Sequence, residues 1–201
     1  MARQHIKEVN AGSTADIAFL LLIFFLVTTT IETDQGINRK LPSKNPETTS
    51  QNIKDKNLFT VLINAQGELL VENEPLDISD LRTATISFLD NGSGEGKEAC
   101  SYCEGEKNLK SSVNPQKAVI SVQTDRLTNY QDYIAVQNEL VSAYNDLRNR
   151  EAQRLYVMSY EKLNDQYKDE SFKGSKDQLK ERLKAIRALF PLHISEAEPR
   201  F

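Results

Sequence analysis

Asp16-Ile17-Ala18-Phe19-Leu20-Leu21-Leu22-Ile23-Phe24-Phe25-Leu26-Val27 opens on an acid and then runs apolar without a break, closing with Thr28-Thr29-Thr30-Ile31 before the next charge at Glu32. From Ile17 to Ile31 a helix measures roughly 22 Å at about 1.5 Å per residue, short of the roughly 30 Å hydrocarbon core of a bilayer. A span must therefore borrow from upstream, and residues 11–31 make a transmembrane helix of suitable length. That window puts Asp16 beyond the first helical turn, where an ionised carboxylate is expensive and is by default a functional hypothesis.

Working outward, the 201 residues allow one membrane segment and one modest soluble domain with a single core. Mean hydropathy of −0.52 concentrates the apolarity in that first helix, so the chain beyond residue 32 reads as water-soluble. A net charge of −4 and a pI near 5.4 supply no basic face for phosphate neutralisation, which argues against nucleic acid as a partner. Arg3 and Lys7 ahead of an apolar run suggest a cleaved signal peptide, but the acid at its front edge and the lack of an Ala-x-Ala site favour an uncleaved anchor. Charge does not orient it: Arg3, Lys7 and the free amine on one flank nearly balance Arg39, Lys40 and Lys44 on the other.

Three readings of Asp16 stand side by side. It is a capping or first-turn acid favoured by the helix dipole, as Gly12-Ser13-Thr14 ahead of it suggests. It is a proton carrier, since removal from water disfavours the ionised carboxyl. Or it is one half of a structural pair between membrane helices. Asp16, Leu20, Ile23, Val27 and Thr30 fall at i, i+4, i+7, i+11 and i+14, one packing face of the helix. A single helix cannot shield such an acid, so partners must supply the remaining walls.

Residues 32–57 are polar, rich in Pro, Ser, Thr, Asn and Lys, and read as a flexible tether with a root-mean-square reach of roughly 25–30 Å. Leu58–Asn64 and Leu69–Glu72 flank a Gly-containing turn and predict a hairpin. Apolar residues at 78, 81, 86 and 89 predict a short helix ending at Asn91-Gly92. Residues 91–116 read as a surface loop insertion. Residues 118–123 predict a strand, and Thr128-x-x-Gln131 a capping box opening a helix that runs on to about Asp169. Ser175-x-x-Gln178 caps a last helix carrying Leu179, Leu183, Ile186 and Leu189, stopped by Pro191, and residues 192–195 close as an edge strand. The predicted class is α/β: one N-terminal transmembrane helix, then a small α/β domain over 58–201 with a mixed sheet and an extended helical insertion over roughly 150–190.

Other motifs carry less. Aligning Gly96-Lys97 with a phosphate loop puts Asn91 where the first Gly belongs and Glu98 where a hydroxyl is required, so the stretch reads as a loop. Cys100-Ser101-Tyr102-Cys103 is half a zinc site at most, with His5 and His193 the chain's two histidines. A local disulfide between Cys100 and Cys103 is expected in an oxidising compartment, and free thiols in a reducing one. No nucleophile, base and orienter can be assembled, so neither enzyme activity nor a metal or other cofactor is expected.

The stretch from Ser13 to Thr28, followed by Leu41-Pro42, resembles the ExbD/TolR family of biopolymer transport proteins, and Val61–Leu69, Leu76, Leu81, Val119–Val122 and the Tyr133 helix resemble its soluble domain. The resemblance implies a bacterial inner-membrane protein, with residues 1–10 as a cytoplasmic tail and the linker and α/β domain in the periplasm. It also implies a pair of anchor helices, one from a second copy, inside a ring of ExbB/TolQ-like polytopic subunits in membrane lipid. Asp16 would pass protons there, and the motion would reach a TonB-like protein that opens outer-membrane transporters. A TolR-like role in envelope constriction is the near alternative, and a membrane-tethered periplasmic binding module without proton conduction the distant one. The 91–116 loop and the 150–190 extension exceed the usual family domain.

Overall fold

The computed structural model describes residues 11–28 and 54–197, which fall in two compact units, 1–49 and 50–201. The expected cytoplasmic tail, most of the linker, Thr30, Leu41 and Pro42 lie outside the described residues.

The described part of the first unit is one helix, α1 (Ala11–Thr28). Among the described residues no helix is long and apolar enough to cross a membrane. The 18 residues of α1 extend about 27 Å at about 1.5 Å per residue, slightly under the roughly 30 Å a span needs. The last three residues of the expected 11–31 span lie outside the described residues.

In the second unit, chain order runs β1 (Leu58–Ile63), β2 (Leu69–Val71), β3 (Glu74–Leu76), α2 (Ile78–Leu89), β4 (Val119–Thr124), α3 (Tyr130–Tyr156), α4 (Tyr160–Lys168), α5 (Lys176–Leu189) and β5 (Ile194–Glu196). The mixed sheet has the order β3-β2-β1-β4-β5, with β1 antiparallel to β2 and parallel to β4, and β5 parallel to β4. Period-two alternation points Phe59, Val61, Ile63, Ile120 and Val122 inward. They pack with Leu81, Phe88 and Leu89 of α2 and Val136, Leu140, Tyr144 and Leu147 of α3 in one core. Residues pointing the other way, among them Leu58, Leu62, Leu70 and Val119, are half-buried, so the helices cover one face of the sheet.

Strand β3 was not predicted. Glu72 (φ 50°) and Asn73 (φ 71°) both adopt left-handed backbone, the conformation of a two-residue hairpin turn, and Val71 pairs with Glu74 across it. Asn73 was a usable signal, but Glu72 beside it, a three-residue strand and Pro75 within it disguised the hairpin. Pro75 is tolerated because β3 is an edge strand.

Two helix expectations are corrected. The Thr128 hydroxyl donates to the carbonyls of Ile63 and Asn64 at 3.2 Å each, at the end of β1, and the cap of α3 falls one residue on, at Asn129, whose side chain accepts from Gln131 N at 3.1 Å. The single helix expected to reach Asp169 breaks at Val157 (φ 54°) and restarts with Ser159 as N-cap. The break turns α4 back so that Tyr160 and Leu163 bury with Ala152, Leu179, Leu183 and Ile186 in a second, smaller core.

The tether's expected boundary also moves. Asp55–Asn57 form a 3-10 turn, and buried Asn57 accepts through Oδ1 from Val113 N at 2.9 Å, so the folded unit begins before residue 58. That bond reaches the 91–116 segment, whose composition reads as a solvated insertion but whose two ends are buried at Asn91, Ser93, Ser112, Val113 and Asn114. Polar residues fill this interior because each is paired. Asn91 Nδ2 donates to the carbonyls of Asn108 (2.9 Å) and Ser112 (2.8 Å), its Oδ1 accepts from Asn108 N (2.8 Å), and Ser112 Oγ donates to the Phe88 carbonyl.

Candidate functional site

Asp16 lies inside α1, five residues after its first residue, and the first turn of that helix contains no acid. The capping and first-turn readings therefore do not describe it. At about 100° per residue, Leu20, Ile23 and Val27 lie within roughly 60° of one another and of Asp16 around the helix axis. All four side chains are exposed. The helix is apolar on every side, with Phe19, Leu22, Phe24, Phe25 and Leu26 each about 60–70 % exposed. A helix of that kind belongs in lipid or in a protein-lined environment. Near its end the Thr28 hydroxyl donates to the Phe24 carbonyl at 2.8 Å, so this polar side chain is satisfied within the helix itself.

The soluble unit has an open cleft beside the carboxyl ends of β1 and β4, lined by Leu62, Asn64, Gln66, Leu70, Pro75 and Gln123 among others. Two of its three acids, Glu68 and Asp125, serve the fold. Glu68 Oε2 accepts from Asn64 Nδ2 at 2.7 Å, and Asp125 Oδ1 accepts from Leu127 N at 2.9 Å in the turn that leads to α3. Among the described residues no cluster of three His, Cys, Asp or Glu side chains could hold a metal ion.

Cys100 and Cys103 are joined in a disulfide with Cα atoms 5.5 Å apart. Between them Tyr102 reaches the end of α5: its hydroxyl donates to the Leu189 carbonyl at 2.9 Å and its ring meets Phe190 edge-on at 5.5 Å. Burial, reinforced by the nearby Glu151 and Asp90 carboxylates, pushes the Tyr102 hydroxyl up to about 12, so it remains a donor at neutral pH. Arg150 of α3 forks onto buried Asp90 at 2.6 and 2.8 Å, and its Nη2 also donates to the Tyr102 carbonyl at 3.2 Å. The hydrogen bond to Asp90 raises the Arg150 pKa.

Arg148, 7 % exposed, donates from Nε (3.0 Å) and Nη2 (2.7 Å) to the Phe190 carbonyl, one residue past α5. The guanidinium lies over the rings of Tyr144 and Tyr160 at 5.6 and 5.5 Å, and burial lowers its pKa. Cation–ring contacts and a carbonyl at the negative end of a helix stand in for a carboxylate partner.

The 91–116 and 150–190 segments are thus tied through Tyr102 and Arg150, while Arg148 holds the end of α5 to α3. Sequence reasoning missed these three residues, since Tyr102 lies in a segment that reads as a surface loop and the two arginines on a helix expected to run on to about Asp169. Arg148 is buried against the end of α5 and Arg150 is half-buried against Asp90 and Tyr102, and residue spacing along α3 carries no trace of either.

The family model described as "Biopolymer transport protein ExbD/TolR" matches residues 2–149. No curated protein matches the chain. The matched region takes in α1, the sheet from β1 to β4, α2 and α3 as far as Asn149, while α4, α5 and β5 lie beyond it.

Proposed function

Because the chain belongs to the ExbD/TolR family of biopolymer transport proteins, we propose that it is the ExbD-type subunit of an inner-membrane motor that couples the proton gradient to TonB-dependent outer-membrane transport. Asp16 is its proton carrier, Leu20, Ile23, Val27 and Thr30 form the face packed against ExbB/TolQ-type subunits and a second copy, and residues 58–201 form the periplasmic output domain. The observation that carries the reading is the placement of one carboxyl in the interior of a helix that is otherwise apolar on every side. In lipid, an ionised carboxylate near the middle of a helix costs about 2.5–3.5 kcal/mol on insertion scales, and a proton crossing 100 mV releases about 2.3 kcal/mol. The two magnitudes are comparable, so protonation can switch the helix between two environments.

Asp16→Asn keeps the size of the side chain and removes its ability to titrate. The expected result is loss of gradient-driven uptake with protein level and complex assembly nearly unchanged. Full uptake in that variant refutes proton carriage, and a soluble fragment that retains the activity refutes the motor reading altogether.

A further inference from the structure

We infer that the Cys100–Cys103 disulfide is a thiol–disulfide exchange site, open to a dithiol reductant, and that its reduction unlatches α5 from the 91–116 segment. The argument starts from where the staple sits. Gly92 (φ +65°) approaches so closely that a Cβ there would lie 2.7 Å from Cys103 Cβ, which seats the disulfide on the buried Asp90–Ser93 turn. Both cysteines are partly exposed, so an attacking thiolate can reach them.

The two residues between the cysteines are Ser101, which is exposed, and Tyr102, which is not. Closing this four-residue loop fixes the backbone on both sides of Tyr102. From that fixed position the hydroxyl holds the Leu189 carbonyl, the ring meets Phe190, and the Tyr102 carbonyl receives Arg150. One covalent bond thereby presets three contacts that join the two segments, at the end of a helix also held by Arg148 through the Phe190 carbonyl, by Gln116 Nε2 donating to the Ala188 carbonyl at 3.4 Å, and by the small core around Leu163 and Leu183. Long-range consequences follow from local chemistry because the latch residue is bracketed by the bond itself.

Reduction proceeds by attack of one thiolate of the dithiol on a protein sulfur. A mixed disulfide forms and the other protein sulfur leaves as a thiolate. The second thiol of the reductant then resolves the mixed disulfide, leaving two protein thiols and an oxidised reductant, a transfer of two electrons and two protons.

The test is amide hydrogen exchange on the full-length protein in detergent, with and without dithiothreitol as the dithiol, thiols being counted by alkylation. Reduction is expected to speed exchange of the last two turns of α5 about tenfold, the factor for losing one neutral hydrogen bond and one aromatic pair, while β1 and β4 keep their protection. Tyr102→Ala in the oxidised chain is expected to reproduce that acceleration without any reductant. The inference is overturned if the reduced chain exchanges α5 within twofold of the oxidised one, if 91–116 alone loosens, or if β1 and β4 lose protection together with α5. Because the readout is exchange and not uptake, its outcome is independent of whether Asp16 carries protons.

Discussion

Removing the guanidinium of Arg148 tests the joint between α3 and α5 most directly. Arg148→Ala deletes two hydrogen bonds from a charged donor to the Phe190 carbonyl and two cation–ring contacts. A hydrogen bond to a charged group contributes about 1.5–3 kcal/mol, and each cation–ring contact about 0.5–1 kcal/mol at modest desolvation. Against these stands the relief of desolvating a buried charge, the same effect that lowers the Arg148 pKa. The net expectation is a loss of about 3 kcal/mol, which lowers Tm by roughly 6–12 °C for a unit of this size. The assay is thermal melting of the full chain in detergent at fixed protein concentration, with exchange mapping to place the loss at α5. Arg148→Lys keeps the charge but cannot fork or stack, and is expected to recover less than half of the difference. If Arg148→Ala melts within about 1 °C of the wild type, the guanidinium does not clasp the helix. If Arg148→Met is as stable as wild type, packing carries the joint and the charge does not.

Asn91→Ala removes three hydrogen bonds; the Ser112 and Asn108 carbonyls keep Ser93 and Ser111 as donors but the Asn108 amide loses its acceptor, so a cost of about 1–3 kcal/mol is expected in chemical denaturation, with early proteolytic nicking inside 91–116. Leu163→Ala empties a fully buried position in the smaller core, so a loss of about 2–4 kcal/mol should appear as faster exchange in α4 and α5 while the amides of Ile120 and Val122 keep their protection. High pH should loosen the same joint. Folding favours neutral Tyr102, raising its hydroxyl from 10.0 to about 12. Its contribution is therefore intact below about pH 10 and lost as pH climbs from there through about 12. Tyr144, also raised by burial, acts in the same direction. Phenolate absorbance of the folded chain should accordingly lag that of the urea-unfolded chain across this window, and coincident titrations would refute the assignment.

What the sequence determined by itself is whatever has a local cause. A composition rich in β-branched and aromatic residues marks Leu58–Ile63 and Val119–Thr124 as strands, because such side chains suit a pleated backbone whatever they pair with. Ser175 and Gln178 mark the start of α5, since the serine hydroxyl satisfies an amide three residues on and needs no tertiary partner. The acid in an apolar run at Asp16 is visible for the same reason: hydropathy is read residue by residue. The tertiary structure decided everything that depends on what lies across the gap. Thr128 looks like a cap in sequence and in space is a tie to β1, its hydroxyl donating to the Ile63 and Asn64 carbonyls while Asn129 accepts from the Gln131 amide. Asn91, Ser112 and Arg148 have surface composition and interior positions, and they are stable there because residues 21–42 places away in sequence supply their partners. Burial of a polar group follows from a completed hydrogen-bond set, and that set exists once the chain has folded.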